Sequence, residues 1–108
     1  MPHKETELFP AELSDSDLFL LTNLCNAVAV SGDEKEVREI VLEAVRPYTD
    51  QIKVDALGNV LVIVEGKGPM RPRVMAAAHM DEVGFMIMRD EGEGLFEFRV
   101  IGGIDERQ

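Results

Sequence analysis

The 108 residues are enough for one small domain and its core. Hydrophobic residues make up 45%, which fits a globular chain rather than a disordered one. The 21 acidic and 11 basic side chains give a formal net charge of -10, which argues against a nucleic-acid partner and reads most simply as a solvated acidic surface.

Residues 1–16 read as a polar leader that carries His3 and two apolar anchors, Leu8 and Phe9. This start has no apolar signal core. Nor does any apolar run approach the roughly 20 residues that span a bilayer. The expectation is a cytoplasmic protein with no membrane partner. Ser14-Asp15-Ser16-Asp17 supplies helix N-cap candidates. Leu18, Leu21, Leu24, Cys25 and Val28 then recur at helical spacing, which predicts a helix over Asp17 to Val28. Cys25, the single cysteine, falls in that pattern and is expected to be a packed core thiol rather than a nucleophile.

Ser31-Gly32-Asp33-Glu34 has the form of a capping box. Val37, Ile40, Val41 and Ala44 then give a second helix one apolar stripe, which Pro47 stops. Beyond Pro47 the period changes. Ile52 and Val54, then Val60 to Val64, read as two strands joined by a turn at Leu57-Gly58-Asn59. Gly66-Lys67-Gly68-Pro69 is a further turn. Arg73 to Ala78 is apolar without alternation and predicts a central strand covered on both faces. Gly84 to Met88 predicts a fourth strand, and Glu91-Gly92-Glu93-Gly94 turns the chain. Phe96, Phe98 and Val100, alternating with Glu97 and Arg99, predict a half-buried fifth. Two N-terminal helices followed by a mostly β segment make this an α/β or α+β chain, not a doubly wound one. Its segments are the leader (1–16), an α/β part (17–82), and the start of a further β unit (83–108).

The chemistry concentrates at His79-Met80-Asp81, where an apolar run ends in a histidine. Ligands in α/β sheets sit at the carboxyl ends of strands. A carboxylate two residues on could orient the ring and raise its basicity as a metal ligand. The same residues also fit a structural or surface histidine followed by a turn aspartate. Glu82 reads as a solvated charge. Gly66-Lys67-Gly68 lacks the residues of a phosphate loop, and no serine sits in a nucleophile elbow. The methionines of this half, Met70 to Met88, fit core filling.

Four pieces carry a family resemblance: Val30-Ser31-Gly32 with its Glu-rich helix, Val54 to Asn59, Ala77-Ala78-His79-Met80-Asp81-Glu82-Val83-Gly84, and Ile101-Gly102-Gly103-Ile104-Asp105. In this order and spacing the chain resembles the N-terminal part of metallopeptidase family forty-two, the tetrahedral (TET) and glutamyl aminopeptidases. Some members have been labelled endoglucanases or cellulases. The resemblance implies part of a zinc-peptidase-like catalytic α/β domain holding two divalent metal ions, zinc or cobalt. It also implies a β domain, inserted soon after the histidine, that assembles a homo-oligomer. The implied reaction is hydrolysis of N-terminal residues from peptide substrates by metal-activated water. His79 matches the family's first metal-ligating histidine, and Asp81 the carboxylate that positions it. The family's bridging aspartate, its glutamate pair, its further aspartate and its last histidine find no counterpart before Gln108. The expectation is therefore an N-terminal portion of an aminopeptidase, inactive alone and binding metal weakly or not at all. The alternative is a non-catalytic scaffold or assembly module that keeps the fold. A glucanase is disfavoured, because Asp81 and Glu82 are adjacent and make a poor pair for opposite sides of one sugar bond.

Overall fold

The computed structural model describes residues 12–105 and 107. His3, Leu8 and Phe9 lie outside the described residues. Helix α1 (Asp15–Asn26) opens on a reciprocal cap. The Ser14 hydroxyl accepts from the Asp17 amide at 3.2 Å, and the Asp17 carboxylate takes the Ser14 amide at 3.0 Å. The helix therefore starts two residues before the expected Asp17 and stops at Asn26. Helix α2 (Lys35–Val45) ends just before Pro47, as the proline requires.

The box expected at Ser31 does not form. Glu34 is itself the N-cap of α2 and makes no side-chain cap bond. Its carboxylate instead takes the Gly32 amide at 2.6 Å, while the Asp33 amide closes a turn on the Val30 carbonyl at 2.7 Å. Gly32, at φ 94°, lies in that turn and not in a helix, so the helix begins at Lys35, three positions beyond the one a Ser31 cap would open. Cys25 is exposed, not packed. The buried core is Ala27, Ala29 and Val37, with Leu24, Ile40 and Met80 against it. Three small residues cannot cover every face of α1, so Cys25 falls outside them.

Strands β1 (Ile52–Val54) and β2 (Val60–Val62) pair antiparallel, with Ile52 opposite Val62 and Val54 opposite Val60. Asp55 closes the turn between them. Its carboxylate accepts from the Leu57 amide, the Asn59 amide and the Asn59 side chain at 2.8–2.9 Å. Arg38 of α2 reaches over and donates to the Gly58 carbonyl at 3.3 Å. The central strand expected at Arg73 to Ala78 is absent. This segment takes no regular secondary structure and is exposed, with Val74 90% and Met75 88% accessible. The apolar run has the composition of a buried strand, but a strand needs a neighbour to bond. Residues 72–78 form no main-chain hydrogen bond with another described residue.

Strands β3 (Gly84–Gly92) and β4 (Leu95–Ile101) form a second antiparallel pair, longer than expected. Glu91 and Gly92 belong to β3, where the register slips, so the turn is Glu93-Gly94 alone. Phe85 opposes Val100 and Ile87 opposes Phe98. The rings of Phe85 and Phe98 meet edge to face at 5.0 Å. The alternation expected in Phe96, Phe98 and Val100 is present, but all three are exposed rather than half-buried. Among the named elements this ribbon packs only on itself. The radius of gyration of 19.8 Å reflects that extension, since a compact chain of this length has about 13 Å.

Candidate functional site

The path to His79 begins in the loop after α1. The Glu36 carboxylate of α2 holds the Val28 amide at 2.9 Å, and Ala29 next to it is buried. Val30 forms a parallel bridge with Glu82, and the Glu82 amide donates to the Ala29 carbonyl at 2.8 Å. Residues 79–82 are thereby fixed to the helical part although no strand leads into them.

The two predicted site residues meet. His79 Nδ1 lies 2.9 Å from the Asp81 main-chain carbonyl and 3.2 Å from the Asp81 carboxylate. Both partners only accept, so Nδ1 carries the proton and donates. The lone pair is then on Nε2, and the His79 side chain is 86% exposed. This is the tautomer a metal-ligating imidazole adopts when its other nitrogen is held by oxygen. The nearer acceptor is the main-chain carbonyl, which the residue pattern did not indicate. No spacing rule reveals it, because the direction of that carbonyl depends on the bridge to Ala29, some 50 positions earlier in the chain.

His79 and Asp81 also line an open groove of about 640 Å³ whose other walls include Leu24, Val37, Val41 and Val60. Glu82 is exposed, as a solvated charge would be. Among the described residues, no group of three or more His, Cys, Asp or Glu side chains converges as a metal site. One imidazole therefore fits a metal as a single ligand, and the set that a catalytic ion requires is not complete in these residues. No helix among them is long and apolar enough to cross a membrane.

The model of the M42 glutamyl aminopeptidase family matches residues 58–108, a span that contains His79 and Asp81. The chain resembles the M42 aminopeptidases. A protein of Acetivibrio thermocellus is 40% identical over 93 residues, covering 85% of this chain and 27% of that protein. The lysyl aminopeptidase of Pyrococcus furiosus is 34% identical over 89 residues, covering 82% of this chain and 25% of that enzyme. The crystal structure of a TET aminopeptidase from a marine sediment Thaumarchaeota archaeon superposes with a TM-score of 0.70 at 40% identity. The superposition covers 83% of this M42-like chain and 25% of that one. The mixed helix and strand architecture, two helices with small sheets, is thus shared with a TET aminopeptidase. The chain spans about a quarter of the length of the curated relatives it matches.

Proposed function

We propose that this chain supplies the first metal-ligating segment of a metal-dependent aminopeptidase with a zinc-peptidase-like catalytic domain. The observation that carries this reading is the His79 ring, with Nδ1 held by Asp81 and Nε2 facing solvent. His79 is the ligand through Nε2. Asp81 orients the ring, through its main-chain carbonyl as well as its carboxylate. A divalent ion of the zinc or cobalt type, when bound, supplies activation of water toward a peptide carbonyl. The remaining ligands and the proton-handling carboxylate come from outside the described residues. The substrate is a peptide with a free N-terminus, and the whole protein works as a cytoplasmic homo-oligomer. Residues 83–108 belong to the β unit that builds that assembly. A chain bearing only these groups is inactive.

The competing reading, a non-catalytic scaffold or assembly module, draws on the absence of a converged ligand group among the described residues. Zinc or cobalt titration by calorimetry, with His79→Ala as control, decides between them when run on both this chain and the whole protein. Weak binding by the chain, with tight binding by the whole protein that His79→Ala removes, supports the peptidase reading. Whole-protein binding indifferent to His79→Ala overturns it. Tight stoichiometric binding by the chain alone overturns the claim that its site is completed elsewhere.

A further inference from the structure

We infer that the Asp81–Glu82 peptide group is the element that sets the His79 ring, and that Gly84 is a positioning residue because it lets this peptide dock on Ala29. The inference rests on the reading of His79 as a metal ligand, since orientation matters only if the ring has a task.

A trans peptide points its N–H and C=O in opposite directions. Here both ends are engaged at once. The Glu82 N–H donates to the Ala29 carbonyl at 2.8 Å, and the Asp81 C=O of the same peptide accepts from His79 Nδ1 at 2.9 Å. The result is a continuous line, from the Ala29 carbonyl through one peptide group to the imidazole. Serial hydrogen bonds of this kind polarise and strengthen one another. The far end is rigid. Ala29 is buried at 2% exposure beside Ala27 and Val37, and the preceding amide is held by Glu36. The ring therefore takes its bearing from the helical core rather than from the unpaired segment that precedes it.

The docking has a steric condition. A Cβ placed on Gly84 would stand 2.5 Å from Val30 Cγ2. Valine is stiff about χ1 and cannot swing that methyl away freely. Residue 84 must therefore lack a side chain if Val30 and Glu82 are to bridge. The requirement is one of space and not of backbone angle, because Gly84 is not among the glycines with positive φ.

The test uses the metal-free chain, so its outcome is independent of whether His79 binds metal. Overpacking of this size should raise the open fraction of the bridge by about 5- to 150-fold in Gly84→Ala. Hydrogen exchange at the Glu82 amide reads that opening. Imidazole ¹⁵N shifts, taken at about pH 8.5, above the ordinary histidine range, read the tautomer. Gly84→Ala should accelerate Glu82 exchange and move His79 from the Nδ1–H form toward a mixture. Val30→Ala in the same chain should restore both, and is read the same way if the single variant does not fold. Unchanged Glu82 exchange in Gly84→Ala overturns the proposal. So does faster exchange with an unaltered His79 pattern, which would make Gly84 structural only, or a double variant that stays unlike the wild type.

Discussion

The Glu93-Gly94 turn offers a sharp test of how the β3–β4 ribbon is held. Both residues have positive φ, 54° and 81°, the signature of a type I′ hairpin turn. Glutamate is poorly suited to the first of these positions. A left-handed residue with a side chain costs roughly 1–2 kcal/mol, part of which asparagine recovers through its short polar side chain. Glu93→Asn creates the favoured Asn-Gly pair and should stabilise the ribbon by about 0.5–1 kcal/mol, or about two- to fivefold in its opening equilibrium. Because the ribbon packs on no other named element, that gain should appear locally. Amide exchange at Phe85, Ile87 and Phe98 should slow by this factor, while the amides of α2 stay as they are. Gly94→Ala should act oppositely, losing about 1–2 kcal/mol. Gly103→Ala should be neutral, since no atom lies within 4 Å of the added carbon. Equal exchange rates in Glu93→Asn and wild type would show that the turn does not limit ribbon opening, and the reasoning would fail.

Asp81→Ala leaves the nearer acceptor of His79, the main-chain carbonyl, in place. Loss of an outer partner usually costs 10- to 100-fold in metal affinity; here about tenfold is expected by metal titration of the whole protein, and a loss beyond 100-fold would make the carboxylate the dominant partner. The hydrogen bond from the Asn59 side chain, with those from nearby amides, holds the Asp55 carboxyl below the ordinary carboxylate range. The unfolded chain then binds the extra proton first, so this contribution is full above the ordinary value of about 3.9 and is lost as pH falls through the lower folded value. Acid titration by circular dichroism should show that loss, with a shallower slope in Asp55→Asn. Phe98 is 56% exposed on the apolar face it shares with Phe85. Phe98→Ser should reduce self-association, measured by light scattering, because exposed apolar patches of this kind drive it.

The periodic parts of the fold were legible. Val37, Ile40, Val41 and Ala44 mark α2, Gly58-Asn59 marks the β1–β2 turn, and the alternation at Phe96, Phe98 and Val100 marks β4. What failed was whatever depends on partners. Ser31 and Glu34 match a capping box in spacing, but Gly32 turns at positive φ and its amide takes the Glu34 carboxylate instead. Residues 73–78 have the composition of a covered strand, yet composition does not supply the neighbours that would cover it. The Cys25 spacing placed it on an apolar stripe, but the buried set is too small to reach it. The site divides in the same way. The closeness of His79 and Asp81 follows from two-residue spacing. The main-chain acceptor follows from a contact with Ala29, which local spacing cannot carry.

The unpaired stretch at residues 72–78 also bears on how these residues meet other chains. Its peptide groups pair with no other described residue, and Val74 and Met75 stand in water beside them. A run of open donors and acceptors flanked by apolar side chains is adhesive to any passing strand. It is also readily threaded into a protease cleft. Until that stretch is covered, association and proteolysis of these residues are expected to begin there.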